Sequence, residues 1–294
     1  MLTAEVIKNI RRVELKTRKM AADFFTGHYR SVFKGMGMEF DEVRQYVAGD
    51  DIRSIDWNVT ARMGEPFIKK FVEERQLTIM FLLDLSRSCS FATVNRLKHS
   101  LAAELCAVLA LSANKNNDKV GLIAFTDKVE KFLPPAKGIK HILRVVRESL
   151  YLEPTGKGTD IGAAIEYLNK IIHRKAVVFI VSDFHAQKYE KALAVANKRH
   201  DVIAVTLTDP IELELPNVGM ITLEDAESGE FFLVDTSSKR VRNEYKDNAL
   251  KIFNQRKRMF RSCNIDHVDI TTDVHYLKTL IRFFKMREWK LSHY

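Results

Sequence analysis

The chain has 294 residues, of which 46% are hydrophobic and 29% charged, with only 12 glycines and 6 prolines. This is the composition of a globular protein, and it excludes the disordered, collagen-like and disulfide-stapled classes. Lysine and arginine number 47 against 38 aspartate and glutamate, and the resulting charge of +9 suits nucleic acid, an acidic membrane surface or an acidic protein partner equally well.

The cysteines and the hydropathy predict a cytoplasmic protein. Cys89, Cys106 and Cys263 are an odd number without a C-x-x-C pair, which favours neither a secreted disulfide framework nor a zinc site. No segment has the features of a signal peptide, and no apolar run approaches the length that a membrane-spanning helix needs. We therefore expect free thiols in a reducing compartment and no membrane span.

Residues 1–75 are predicted to form an N-terminal extension of a larger domain. Residues 1–25 place hydrophobic side chains at helical spacing with basic residues between them, which predicts an amphipathic helix. Residues 35–71 mix strand-like runs with turn signals at Ala48-Gly49-Asp50 and Met63-Gly64. That mixture predicts an irregular segment with one or two short strands.

Charged residues of both signs crowd this extension. They can form a paired network that clamps the segment onto the sheet, or a surface that docks a partner, with Tyr46 and Trp57 as apolar anchors. We expect Trp57 to be buried in the core. The charged residues are Asp41, Glu42, Arg44, Asp50, Asp51, Arg53, Asp56 and Arg62.

From residue 76 to residue 294, strands and helices alternate. Unbroken apolar runs predict strands buried on both faces, and helical spacing predicts helices between them. Such alternation implies right-handed crossovers and helices on both faces of the sheet. The predicted class is therefore α/β, with a doubly wound, mainly parallel sheet of Rossmann type. The predicted strands are 77–86, 119–126, 176–183 and 201–209, and the predicted helices are 94–113, 139–150, 161–173 and 187–198.

After Pro210 the pattern changes to a hairpin with strands at 220–223 and 230–234. A basic helical stretch follows, and then a last strand at 267–271 and a closing helix at 275–289. Because no linker precedes these elements, we expect them to belong to the same sheet rather than to a new domain.

Oxygen-bearing side chains collect at three predicted strand ends, the edge at which open parallel sheets bind their ligands. Carboxylates and hydroxyls are hard ligands, and a set of this kind suits Mg²⁺ or Mn²⁺. The residues are Asp84, Ser86 and Ser88 in DLSRSCS, Thr159 and Asp160 in TGKGTD, and Ser182 and Asp183 in VFIVSDFH.

This set resembles the metal-ion-dependent adhesion site of von Willebrand factor A domains. The resemblance lies in D-x-S-x-S after the first buried strand, a later loop threonine and a still later strand-end aspartate. It implies that Asp84, Ser86, Ser88, Thr159 and Asp183 hold Mg²⁺ or Mn²⁺, with Asp183 acting through water. It also implies an open coordination position for an acidic side chain of a partner.

Nearly the whole chain resembles the bacterial DUF58 family, whose members are built on a von Willebrand A-like domain. The resemblance lies in EFDEVRQYVAGDDIRSIDWNVTARMGEPFIKKFVEER ahead of D-x-S-x-S and in HVDITTDVHYLKTLIRFFKMRE near the end. Members are commonly encoded beside MoxR-type AAA+ ATPases. The resemblance therefore implies a non-enzymatic adaptor that works with a MoxR-type ATPase in the assembly or maturation of other proteins.

Two other interpretations stay open. Asp and Ser at strand-to-helix junctions are favoured helix caps whatever the function. Basic residues dominate residues 239–261, and this stripe is either a solvated helix face or a surface that binds nucleic acid or another polyanion. We expect Arg256, Lys257 and Arg258 in this stripe to lie far from the metal site.

The sequence carries no complete catalytic motif. Ser86 stands where a phosphatase of the haloacid dehalogenase class needs its acid/base aspartate. A P-loop would need glycine at Tyr151 and serine or threonine at Gly158. His185 follows Asp183 by two positions, and we expect it to be a donor beside the site or a plain loop residue rather than a catalyst.

Overall fold

The computed structural model describes residues 39–47, 49–72, 76–90, 97–156, 158–224 and 229–292. The helix predicted over residues 1–25 lies outside these ranges. Contacts divide the chain into two compact units: one is Phe33–Leu77, and the other holds the described residues from Thr78 onward. In the described part of the chain, every helix is too short or too polar to cross a bilayer.

The small unit contains one antiparallel pair of strands, β1 (Glu39–Gln45) and β2 (Phe67–Val72), and the helix α1 (Trp57–Met63). The Asp56 carboxylate caps α1 by accepting the backbone N–H of Asn58 at 3.0 Å and of Val59 at 3.3 Å. Gly64, at a φ of 80°, ends the helix in the left-handed region. The sequence predicted the strands but not this helix.

The charged residues of the small unit make local bonds. Arg44 pairs with Asp50 at 2.7 Å, and Asp51 caps the short turn Ile52–Ser54. The prediction of a buried Trp57 is wrong, because its side chain is 67% exposed. The reason is that α1 buries none of its residues and is held by its caps rather than by an apolar face. The side chains of Asp41 and Glu42 lie outside the described part, and the clamp stays a prediction.

The large unit is built on a sheet of six strands, five of them parallel. Across the sheet the strands lie in the order β5-β4-β3-β6-β7-β10. When these six strands are numbered by their sequence in the chain, the spatial order is 3-2-1-4-5-6, which is the doubly wound Rossmann order. The predicted fold class is therefore confirmed. The strands of this unit are β3 (Thr78–Asp84), β4 (Lys119–Phe125), β5 (Val129–Ala136), β6 (Val177–Ser182), β7 (Asp201–Thr208), β8 (Met220–Glu224), β9 (Phe231–Asp235) and β10 (Asp266–Thr271).

Helices flank this sheet. The helix after β3 is buried along most of its length, and its alanines allow close packing between the sheet and the next helix. The helices are α2 (Lys98–Lys115), α3 (Ile139–Tyr151), α4 (Ile161–Ile171), α5 (Glu190–Arg199), α6 (Pro210–Leu213), α7 (Lys239–Ser262) and α8 (Tyr276–Ser292). The start predicted for α2, at residue 94, lies outside the described residues.

Two features of the sheet differ from the sequence prediction. β5 was missed because its sequence, VEKFLPPA, contains two prolines and charged residues. It is the antiparallel edge strand, where a proline costs no ladder hydrogen bond on the open side. The hairpin of β8 and β9 was predicted to join the main sheet, and this is wrong: it forms its own two-stranded sheet, and β10 pairs with β7 instead.

Gly121 permits the close approach of β4 and β5. It lies at an irregularity in their register, and a Cβ there would be 2.9 Å from the carbonyl oxygen of Leu133 and 2.5 Å from the sulfur of Met80. We predict that Gly121→Ala lowers the free energy of unfolding in urea by about 1–3 kcal/mol, because backbone must move. Gly158→Ala is the control, since its Cβ would lie at an ordinary 3.7 Å from Asp127. Equal stability of the two variants would contradict this packing.

Candidate metal centre

The carboxyl ends of β3 and β6 bring Asp84 and Asp183 together. The two strands are parallel neighbours in which Leu83 pairs with Val181, so the residues that follow lie at the same edge of the sheet. A carboxylate oxygen of Asp84, one of Asp183 and the sulfur of Cys89 all lie within 4.8 Å of one another, and all three residues are buried. This edge, between the first and fourth strands of the sheet, is the topological switch point at which doubly wound proteins bind ligands.

Hydrogen bonds fix the Asp84 carboxylate. Its Oδ1 accepts the backbone N–H of Ser86 at 2.9 Å, and its Oδ2 accepts the hydroxyl of Ser182 at 2.6 Å. The Ser182 hydroxyl oxygen in turn accepts the N–H of Phe184 at 2.9 Å. Ser182 therefore orients Asp84 from the neighbouring strand, a role that the sequence did not assign to it.

The hydroxyls of Ser86 and Ser88 lie 3.0 Å apart on the turn after β3. Adjacent ligands in an octahedral shell with bonds of about 2.1 Å are separated by about 3.0 Å. The two hydroxyls therefore have the separation of neighbouring Mg²⁺ or Mn²⁺ ligands as well as that of a hydrogen bond. Ser86 is fully buried and Ser88 half-buried.

Asp183 has a buried cationic partner that sequence reasoning missed. The ammonium of Lys98, the first residue of α2, lies 3.3 Å from Asp183 Oδ2 and also pairs with Glu212 on α6. The other carboxylate oxygen of Glu212 accepts the N–H of Asp209 at 2.8 Å and completes a capping box. Lys98 is 0% exposed, and its burial is tolerable because two carboxylates surround the ammonium.

These charges help to shift the pKa values of Asp84 and Asp183 in opposite directions. Burial, and then the negative charge of Asp183, raise the pKa of Asp84 from 3.8 to about 6. Burial would also raise the pKa of Asp183, but Lys98, His185 and a hydrogen bond from Ser88 hold it below its ordinary value. Asp183 is therefore compensated within the protein, whereas Asp84 has no cation of its own in these interactions.

Lys98 stays charged and Cys89 stays a thiol. Burial would lower the pKa of Lys98, but Asp183 and Glu212 raise it above its ordinary value. Burial, and then the charges of Asp84 and Asp183, raise the pKa of Cys89 well above its ordinary value. A protonated thiol is a poor metal ligand, so the donors that fit here are the hard oxygens.

Thr159 lies on the loop ahead of α4. This loop packs on the carboxyl end of β4. The N–H of Asp160 donates to the carbonyl of Thr126 at 2.8 Å, and the Glu130 carboxylate accepts the N–H of Gly156 at 2.7 Å. These bonds place the backbone of the loop around Thr159 at the same edge of the sheet, one strand away from Asp84, and the role of the Thr159 hydroxyl as a ligand stays a prediction. Asp160 is a helix cap, because its carboxylate accepts the N–H of Ala163 at 2.8 Å.

The chain turns sharply after Asp183. Phe184 has a φ of 57°, in the left-handed region, and its ring packs edge-on against Phe260 of α7 at 5.1 Å between centroids. Arg256 of α7 donates to the carbonyl oxygen of Asp183 at 2.7 Å. The backbone N–H of His185 donates to Asp183 Oδ1 at 3.2 Å, while its side chain is exposed, and both expected roles, donor or plain loop residue, stay open.

Arg256 is therefore not remote from the site, and that expectation is wrong. It is 8% exposed, and Lys257 pairs with Asp269 at 3.0 Å and lies over the ring of Phe253. A charge count along the sequence does not distinguish such residues from a solvated stripe. Five of the nine basic residues in 239–261 bond to other groups of the chain: Arg240, Arg242, Lys246, Arg256 and Lys257.

The residues at this edge fit a hard divalent cation. Asp84, Ser86 and Ser88 supply oxygen donors, and the charge of Asp84 is the one that a cation would balance. Asp183 is engaged by Lys98, and its contribution to a cation through water stays a prediction.

Comparison with known proteins identifies the family. Residues 42–255 match the model of a family described as protein of unknown function DUF58. The chain belongs to the DUF58 family. It is 28% identical over 284 residues to the uncharacterized protein Mb1516 of Mycobacterium bovis. The matched region covers 95% of this chain and 88% of that protein.

Two solved structures are also similar to this DUF58 chain. An aerotolerance-related membrane protein from Bacteroides fragilis has 18% identity and a TM-score of 0.48, with 73% of this chain and 99% of that one covered. BatB from Bacteroides thetaiotaomicron has 17% identity and a TM-score of 0.46, with 72% and 98% covered. The assignment of the fold rests on the strand order.

The raised pKa of Asp84 predicts a pH-dependent stability without metal. Because the folded chain holds this proton more tightly than the unfolded chain, the free energy of unfolding in EDTA should fall as pH rises from about 4 to above 6. The free energy of unfolding of the wild type should fall by on the order of 3 kcal/mol more than that of Asp84→Asn, which lacks the titrating group. Urea unfolding of both proteins across this range measures it. Parallel profiles would contradict a buried, uncompensated Asp84.

Proposed function

We propose that this chain is a non-enzymatic adaptor that binds an acidic side chain of a partner protein through Mg²⁺ or Mn²⁺. Asp84, Ser86, Ser88 and Thr159 hold the cation in this proposal, and Asp183 supports it through water. The observation that carries the proposal is the turn after β3 at the switch point of the sheet: the Asp84 carboxylate accepts the backbone N–H of Ser86 there, and the Ser86 and Ser88 hydroxyls lie 3.0 Å from each other.

The charge of the centre supports an acidic ligand. Three hydroxyls and one uncompensated carboxylate leave a divalent cation with excess positive charge, because Lys98 already neutralises much of the charge of Asp183. An incoming glutamate or aspartate then gains a charge-assisted bond that a neutral side chain does not match.

The same residues give little support to catalysis. Ser86 occupies the place of an acid/base carboxylate, and the high pKa of Cys89 keeps it from acting as a nucleophile near neutral pH. The ring of His185 is exposed. An adaptor needs none of these groups to react.

The family resemblance supplies the partner. We propose that a MoxR-type AAA+ ATPase carries the acidic residue, and that the pair acts in the cytoplasm in the assembly or maturation of other proteins. The three free thiols agree with a reducing compartment.

Titration calorimetry tests the cation site. We expect one Mg²⁺ per chain, with the affinity reduced more than about 100-fold in Asp84→Ala and only about 10-fold in Asp183→Asn, because Asp183 is already engaged by Lys98. Lys251→Ala, an exposed change on α7, is the control and should bind normally. Circular dichroism checks that each variant is folded. Wild-type affinity in a folded Asp84→Ala protein would reject this site.

Capture of a purified MoxR-type ATPase of the same organism tests the adaptor role. Thr159→Ala or EDTA should reduce capture about tenfold or more, because the partner's carboxylate loses its cation. The matched control is Lys251→Ala with Arg258→Ala on the exposed side of α7, which should mostly slow association. The opposite ranking, with chelation harmless and the basic residues essential, would favour a polyanion as the ligand.

A further inference from the structure

A cavity of about 210 Å³ opens beside the metal centre, between α6 and α7. His185 and Glu212 line it, and both have ligand atoms within 4.8 Å of an Asp183 carboxylate oxygen. The cavity therefore adjoins the candidate centre at Asp183. Its apolar wall consists of Leu213, Ala249, Ile252 and Phe253.

One face of α7 forms most of this cavity. Tyr245, Ala249, Ile252 and Arg256 recur every three or four residues, so their side chains lie along a single stripe. Ile252 is 51% exposed although it belongs to this stripe. An apolar, concave surface at the ligand-binding edge of a sheet is a common place for a ligand side chain.

Arg256 adds a charged side chain to the apolar wall. Its Nη1 donates to the carbonyl of Asp183, but its buried Nε has no acceptor among the described residues. The buried Nε is out of reach of a ligand, but the guanidinium places a fixed positive charge on the cavity wall beside Asp183, and this charge favours a ligand that carries an acidic group next to its apolar part.

We propose that this cavity receives a bulky apolar side chain, of leucine or phenylalanine size, from the partner segment whose acidic residue binds the cation. This inference rests on the proposed function and adds the partner's sequence chemistry to it. In an extended segment, side chains two residues apart point the same way and are separated by about 6.6 Å. The partner motif that we propose is therefore acidic-x-apolar, with the acidic residue on the cation and the apolar side chain in the cavity.

Short peptides test this motif with the full chain. The probes are acetylated Asp-Gly-Phe amide and Asp-Gly-Ala amide, titrated in Mg²⁺ and in EDTA and followed by backbone amide NMR of the labelled protein. With Mg²⁺, we expect the Phe peptide to bind at least about 5-fold more tightly than the Ala peptide, because only Phe buries its ring. It should also shift the amides of Ala249, Ile252 and Phe253.

Variants of α7 locate the effect. Ala249→Leu fills the cavity and should bring the Phe-to-Ala ratio to about 1 with Mg²⁺ affinity unchanged, whereas Leu250→Ala, one position away, should keep the preference. If Ala249→Leu misfolds, Ile252→Ser at the exposed rim replaces it and should halve the ratio or more. A preference that survives a folded Ala249→Leu or Ile252→Ser, or equal affinities for the two peptides in the wild type, would overturn the proposal.

Two further outcomes separate this inference from the proposed function. Phe-dependent shifts of the α7 amides that are equally strong in EDTA would reject the metal bridge and keep the apolar cavity as a ligand site. Acetyl-Phe amide that binds as tightly as Asp-Gly-Phe amide would assign the cavity to free aromatic ligands and reject the two-point motif.

Discussion

The buried ion pairs of Lys98 with Asp183 and Glu212 are the interaction on which the candidate centre depends. The sheet places Asp84 and Asp183 at adjacent strand ends, out of water, where two carboxylates repel each other. One ammonium at the start of α2 resolves half of this conflict, because it lies against Asp183 and is itself held by Glu212. Removing it would leave two buried carboxylates without a counter-charge, which is far more costly than the pairs are stabilising.

This arrangement makes the centre asymmetric. The charge of Asp183 is balanced within the chain by Lys98, whereas Asp84 accepts only neutral hydrogen-bond donors in the described contacts. The two aspartates lie at the ends of neighbouring strands, one register position apart, and their charges differ in environment because of one side chain from a helix. Ser182 and Arg256 then fix the positions of both, one from β6 and one from α7.

Local sequence patterns predicted the parts of the fold that local physics determines. Apolar runs located β3, β4, β6 and β7, and the D-x-S-x-S pattern placed three candidate ligands within five positions of chain. β5 was hidden by its prolines, which only an edge position tolerates. The hairpin of β8 and β9 was recognisable, but strand patterns carry no information about which sheet a hairpin joins.

The long-range ion pairs were beyond such patterns. Lys98 and Glu212 are 114 positions apart, and Lys98 looks like any polar residue of a helix until the sheet brings α6 beside it. Arg256 was counted as part of a basic stripe, although folding buries it against Asp183. The helix α6 was not predicted from the sequence, and nothing in its capping box, Asp-Pro-Ile-Glu, indicates that the same glutamate also pairs with a lysine.

Glu212 performs both tasks with a single carboxylate, one oxygen on the backbone of Asp209 and the other on Lys98. A four-residue helix would ordinarily fray at little cost. Fraying of α6 would here strip Lys98 of one partner and shift the ammonium's full attraction onto Asp183. The stability of α6 is therefore coupled to the charge balance of the candidate centre, and a change that loosens or tightens this helix also changes how strongly Lys98 holds Asp183.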